Sequence, residues 1–204
     1  MSGVYAIIPV GSLDGAKSRL GAVLDAEERF ELARRLARRT IAAAVATDRI
    51  AETIVVTPDD AVRDLALAAG ARPLRQRSDG LNQGLSEARD EAIAAGASAI
   101  LVLPIDLPRI SVRAIDDVLD TLDGDVPAVT IVSDRHRRGT NALLVAPPDA
   151  IGFCFGGDSR EAHTAAARAI GARLTELDGP LSLDLDTAED LLLTEGVPDG
   201  LGVG

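Results

Sequence analysis

Short aliphatic runs alternate with helix-length segments along nearly the whole of this 204-residue chain. The runs at 4–8, 53–56, 99–103, 128–132 and 142–145 read as strands, with two further candidates at 173–177 and 181–185. Between them, 26–46, 60–69, 85–95, 112–122, 160–170 and 188–193 carry helical patterns. This rhythm demands an α/β fold, a mostly parallel sheet covered by helices on both faces. A polar loop too short for a helical crossover joins 128–132 to 142–145, so one antiparallel pair is expected. Aromatic residues make up 2% against a hydrophobic fraction of 47%, so Ala, Leu, Ile and Val must build the core. The length fits one domain, taken as 1–197, with 198–204 as a loose tail.

The net charge of −11 disfavours a general nucleic-acid binder, which needs a basic face. No apolar stretch approaches a membrane span, and no signal peptide is evident. Cys154 is the only cysteine, which is consistent with a reducing cytosol. A soluble cytoplasmic protein with neither nucleic-acid nor membrane partners is expected.

In such sheets, ligands bind beyond the carboxyl ends of the strands, so the loops at 9–20, 57–60, 104–109 and 133–141 are the places to look. The sequence has one lysine against twenty arginines, and Lys17 lies in the first of these loops. There Gly11, Gly15, Lys17, Ser18 and Arg19 supply tight turns and cations. These are the means to hold a polyphosphate, although a solvated polar loop reads the same way. The loop is not a Walker A sequence and has no G-x-G-x-x-G. Asp106, between Pro104 and Pro108, can hold a hard cation such as magnesium or cap a turn. Asp184 and Asp186 alternate with Leu183 and Leu185. Asp186 reads as a helix cap with Glu189 at its third position, leaving Asp184 to share a metal with Asp106, although both read equally as caps or solvent groups.

Arg138-Gly-Thr-Asn141 and Phe155-Gly-Gly-Asp-Ser159, which opens a helix, suit an anion, though the Asp158 carboxylate competes with one and an ordinary glycine loop with a helix cap reads the same way. Asn82 reads as a contact to a base edge or a ribose, or as a turn residue before the next helix. Asp25 with Glu28, and Asp158 with Glu161, resemble capping boxes. The two histidines, His136 in a loop and His163 in a helix, have no ligand spacing, and no G-x-S-x-G elbow accompanies them. Arg34, Arg35, Arg38 and Arg39 read as a solvated helix face.

In chain order, Pro9…Ala-Lys-Ser-Arg-Leu20, Leu81-Asn82, Asp106-Leu-Pro108, Gly139-Thr-Asn-Ala-Leu143, Phe155-Gly…Ser159 and Asp184-Leu-Asp-Thr-x-Glu-Asp190 form one set. It resembles the guanylyltransferases of coenzyme F-420 biosynthesis, which act on 2-phospho-L-lactate or phosphoenolpyruvate. The resemblance runs from about residue 4 to residue 193. It implies the nucleotide-diphospho-sugar transferase fold, a Rossmann-like three-layer sandwich with a mixed, mostly parallel sheet. It implies GTP, magnesium and a small phosphorylated acid. Pro9, Val10, Gly11, Lys17 and Asn82 would then bind the nucleotide. Lys17, Arg19 and Asp106 would be catalytic, Asp106 and Asp184 would hold magnesium, and Thr140, Gly156 and Ser159 would hold the acid. A homodimer is a further family-based expectation.

This chain departs from the family at Gly11, where a second lysine is frequent, at Asp158-Ser-Arg160, and at Ala188, where proline is frequent. Three other classes compete. A molybdenum-cofactor guanylyltransferase usually has a Gly-Gly-x-Ser-x-Arg-Met-Gly loop, which residues 9–20 lack. A metal-dependent glycosyltransferase wants Asp-x-Asp at position 106, where Leu107-Pro108 follows. The third is a non-catalytic nucleotide-binding module.

Overall fold

The computed structural model describes residues 3–124 and 126–194. Its strands are β1 (Gly3–Pro9), β2 (Ile50–Thr57), β3 (Arg72–Arg75), β4 (Ala97–Val102), β5 (Ala128–Ser133), β6 (Thr140–Ala146) and β7 (Arg173–Leu177). They share one sheet in the order β3-β2-β1-β4-β6-β5-β7. Its α-helices are α1 (Ala26–Val45), α2 (Asp60–Ala68), α3 (Leu81–Ala94), α4 (Val112–Leu119), α5 (Ser159–Ala169) and α6 (Ala188–Leu193). Strand β6 runs antiparallel to both of its neighbours, β4 and β5, and every other pairing is parallel. The expected antiparallel pair is therefore present, and a second one joins it.

Alternation along β1 separates two cores. Ala6 and Ile8 pack in a layer with residues of α1, α2 and α4, whereas Tyr5 and Ile7 pack with residues of α3 and α5. The sheet is thus covered on both faces, which gives the three-layer sandwich. A third, smaller cluster of Leu20, Leu24, Leu32, Leu36 and Leu185 joins the loop after β1 to α1 and to the segment before α6.

Several local expectations need correction. Strand β3 has the sequence Arg-Pro-Leu-Arg and no apolar run; it lies at the sheet edge, where a proline removes no ladder bond. Residues 181–185 are not a strand but a 3-10 turn, Pro180–Ser182, followed by extended chain. Leu181, Leu183 and Leu185 are buried while Asp184 and Asp186 are half-buried, so the expected alternation of faces is present. The N–H of Leu185 donates to the Asp106 carbonyl and that of Asp186 to the Asp190 carboxylate, so no ladder forms.

Helix α3 starts at Leu81, which puts Asn82 in its first turn. The Asp25–Glu28 capping box forms. Asp158 makes no cap bond and instead pairs with Arg138 at 3.0 Å. Helix α6 is capped by Thr187 with Asp190, not by Asp186 with Glu189. The 198–204 tail lies outside the described residues.

Candidate active site

Strands β1 and β4 are parallel neighbours, so the loops that leave them emerge side by side at the carboxyl edge. Because β6 is reversed, its first residue, Thr140, reaches that same edge. The edge thus gathers Lys17, Asp106 and Thr140 from distant parts of the chain.

Lys17 adopts the left-handed conformation, φ 54° and ψ 36°, which costs a residue with a Cβ about 1 kcal/mol. The turn is held by the Leu20 N–H, which donates to the Lys17 carbonyl at 2.9 Å, and by Leu20 itself, buried in the leucine cluster. The strained backbone turns the side chain inward, where it is only 9% exposed. Its Nζ lies 3.0 Å from Asp186 Oδ1 and 3.7 Å from Asp106 Oδ2. Arg19 stands on the rim and reaches Asp186 Oδ2 at 3.3 Å.

The Leu185 N–H to Asp106 carbonyl bond, at 2.9 Å, lays residues 184–186 beside Asp106. Burial raises the pKa of Asp184 from its ordinary value. The neighbouring charges of Asp106 and Asp186 push the same way, against hydrogen bonds from its own backbone N–H and from Asn141. One ammonium and one rim guanidinium therefore face three carboxylates. Asp106 and Asp184 offer hard oxygen donors, and a further cation would relieve their repulsion. Among the described residues no group of three or more His, Cys, Asp or Glu side chains surrounds one point. A two-carboxylate site suits magnesium, which keeps waters and takes phosphate oxygens, better than the fuller protein cages of calcium or zinc.

A cavity of about 270 Å³ opens beside this cluster, lined by Val10, Gly11, Ser12, Lys17, Arg19 and Asp186 among others. Pro9 ends β1, and Val10, buried with its N–H bonded to the Val56 carbonyl, is the first residue after it to line the cavity. Gly11 is exposed, and a Cβ there would meet nothing within 4 Å.

Asp190 fixes the acidic segment from behind. Its Oδ2 accepts from the N–H groups of Asp186 and Thr187 and from the Thr187 hydroxyl, at 3.0, 2.7 and 2.8 Å. Its Oδ1 pairs with Arg135 at 2.7 Å. Burial works against its charge, but the Thr187 hydroxyl, the two N–H groups and Arg135 together outweigh burial and hold its pKa below the usual value. Asp190→Ala should cost about 3 kcal/mol in urea unfolding, because it strands three donors and removes the nearer of the two carboxylates that pair with Arg135. The sign with pH follows from the depressed native pKa. The Asp190 contribution is complete above the reference value of 3.8 and disappears as pH falls through the lower native value. Asp190→Asn should therefore flatten the acid limb of the stability curve, as measured by unfolding at stepped pH.

Thr140, at the start of β6, meets His163, which is fully buried in α5. Its Nδ1 lies 3.0 Å from the Thr140 hydroxyl, and its Nε2 accepts from the Cys154 N–H at 3.0 Å. Burial lowers its pKa to about 4, so the ring is neutral at pH 7. Asn82 grips the next residue on both sides: its Nδ2 donates to the Phe155 carbonyl at 3.1 Å and its Oδ1 accepts the Phe155 N–H at 2.8 Å. Residues 154–155 are thus stapled between α3 and α5, just ahead of exposed Gly156 and buried Ser159. Asn82, expected at a base or ribose, lines an open cavity of about 400 Å³ with Ser78, Gln83, Ser86 and Phe153, but its amide is committed to Phe155.

Three residues of this edge escaped the sequence reading in their roles: Asp186 as the partner of Lys17, Asn141 beside Asp184, and His163 beneath Thr140. His163 left a trace, since it follows Ser159 by four residues and so shares its helix face. Asp186 left none, because its partner is 169 residues away.

A doubly covered sheet thus carries the lysine loop and the acidic residues at its carboxyl edge, where open α/β sheets bind ligands. Structural likeness agrees at the level of fold. A Desulfovibrio desulfuricans protein assigned as a nucleotide-diphospho-sugar transferase superposes with a TM-score of 0.78 at 17% identity, covering 98% of this chain and 89% of the other. A nucleotidyl transferase from Methanothermobacter gives 0.68 at 17% identity, covering 95% and 96%.

Sequence comparison is more specific. The family described as "Guanylyl transferase CofC like" matches residues 4–195. A phosphoenolpyruvate guanylyltransferase of Rubrobacter xylanophilus is 42% identical over 193 residues, spanning 94% of this chain and 93% of its own length. One from Sphaerobacter thermophilus is 40% identical over 187 residues, spanning 91% and 89%. The chain belongs to the CofC-like guanylyl transferase family.

Proposed function

We propose that the protein transfers the GMP part of GTP to the phosphate of phosphoenolpyruvate or 2-phospho-L-lactate, releasing pyrophosphate, as a step of coenzyme F-420 formation. The observation that carries this reading is the cluster of Lys17, Asp106, Asp184 and Asp186 beside an open cavity at the carboxyl edge. The family match supports guanylyl transfer, and the names of the relatives favour phosphoenolpyruvate as acceptor.

In the reaction, an oxygen of the acceptor phosphate attacks the α-phosphorus of GTP. The bond from that phosphorus to the α–β bridging oxygen breaks, and pyrophosphate leaves. The acceptor phosphate, with a second pKa of about 6, is already largely ionised at pH 7, so no strong base is needed. The obstacle is repulsion between two highly charged anions. Lys17 and Arg19 face the cavity and would neutralise the triphosphate. Thr140, Gly156 and Ser159 would hold the acid, with the N-terminus of α5 adding its backbone dipole. Asp106 and Asp184 would hold magnesium, which supplies charge neutralisation at the α-phosphate and at the leaving group. Positioning provides the remainder of the rate.

The test is pyrophosphate release with GTP, ATP or CTP against phosphoenolpyruvate, 2-phospholactate and 3-phosphoglycerate, with the product mass recorded. GTP with phosphoenolpyruvate should give the largest kcat/KM. Absence of release with GTP and all three acids would overturn the reading.

A further inference from the structure

The hydrogen bonds around His163 fix more than its position. A backbone N–H only donates, so the contact from Cys154 N to Nε2 makes Nε2 an acceptor without a proton. A neutral imidazole must then carry its proton on Nδ1. At 3.0 Å from Nδ1, the Thr140 oxygen receives that proton's hydrogen bond. The Thr140 hydroxyl proton therefore cannot point back at His163. No second partner for this hydroxyl occurs among the described residues, so its proton is available to a ligand at the carboxyl edge.

The same ring also holds the chain just ahead of Gly156. Its Nε2 holds the Cys154 backbone, and Phe155 packs edge-on against it at 5.0 Å between centroids, with 68° between planes. Burial keeps the ring neutral, which is the state this arrangement needs, since a second ring proton would oppose the Cys154 N–H.

We infer that His163 is a positioning residue for the second substrate. Its Nδ1–H forces the Thr140 hydroxyl to act as a donor toward an anionic oxygen of the phospho-acid, and its Nε2 fixes the strand of chain that delivers Gly156. This rests on the reading that Thr140, Gly156 and Ser159 hold the acid. It adds a residue that never touches the substrate and selects acceptors offering a charged oxygen to Thr140. The neutral tautomer with hydrogen on Nδ1 is the uncommon one in water, so the protein has to enforce it.

Two measurements test this. Nitrogen-15 spectra of the histidine-labelled protein at pH 7, assigned with a His136→Gln variant, should show His163 protonated on Nδ1 alone. Kinetically, His163→Phe keeps a buried ring but removes both hydrogen bonds. It should raise KM for phosphoenolpyruvate about tenfold while leaving KM for GTP unchanged. His163→Asn, whose amide can still donate to Thr140, should recover most of that loss. His163→Phe should add little in a Thr140→Val background, because both changes remove one interaction. A proton on Nε2 instead, or equal changes in KM for both substrates, would overturn the inference. If the wild-type protein transfers no guanylyl group to any acid, the functional reading fails instead, and the tautomer still decides whether His163 donates to Thr140.

Discussion

Asp106→Ala should lower kcat for guanylyl transfer by about 10³-fold or more while leaving the protein folded. The expectation of folding follows from where its contacts lie. The Asp106 backbone carbonyl, not its carboxylate, accepts the Leu185 N–H that holds the acidic segment in place. Leu103 and Leu107 on either side are fully buried and fix the turn without help from the carboxylate. The side chain, 30% exposed, touches Lys17 at 3.7 Å, a partly solvated pair worth little to stability. What the carboxylate contributes is charge at the carboxyl edge, beside Asp184. Asp106→Asn keeps the shape and should fail almost as badly, which separates charge from packing. Pyrophosphate release together with a thermal melt reads both halves. Wild-type turnover in a folded Asp106→Ala protein would sink the assignment of this residue to the metal.

The second large effect is expected at Lys17. Lys17→Met keeps the buried stem and the left-handed backbone but removes the ammonium, and should cost about 10²-fold or more in kcat/KM for GTP. The cation sits between Asp186 and Asp106, and its loss leaves three carboxylates with only Arg19 at the rim. The variant's melting temperature should therefore rise more on adding magnesium than that of the wild-type protein. Arginines on α1 provide the control. Arg34 pairs with Glu31 at 2.9 Å on an exposed face, and Arg38 is exposed, so alanine at either should change turnover less than twofold. Gly11 sharpens the comparison, because it leaves open space beside the cavity and adds no second cation to the loop. If Lys17→Met matched the helix arginines in effect, this loop would not be the phosphate site.

Much of the architecture was legible in the sequence, and the misses have physical causes. Strands buried on both faces announce themselves as aliphatic runs, so the core strands were found to within a few residues. Strand β3 is an edge strand with alternating Arg, Pro and Leu, and gives no such run. The 181–185 segment misled because one buried and one open side produce alternation whether or not a ladder forms. Its buried leucines and half-buried aspartates were correctly sorted, but its backbone partners are an Asp106 carbonyl and an Asp190 side chain. The cap of α6 was placed one residue early because Asp and Thr are both good caps. Only the bonds of Asp190 to the Thr187 N–H and hydroxyl decide between them.

The sequence by itself determined the layered α/β fold, the loops that gather at its carboxyl edge, and the residue types that stand there. These follow from local periodicity, from the loop that each strand feeds, and from a composition that left one lysine in the chain. Tertiary structure alone decided the pairings: Lys17 with Asp186, Asn82 with Phe155, and His163 with Thr140 and Cys154. Such contacts join residues 9 to 169 positions apart, and a hydrogen bond depends on distance and angle, which no spacing in the chain encodes. The roles of Lys17 and Asp106 could be suspected from their loops, but the tautomer of His163 could be stated only once its two neighbours were in place.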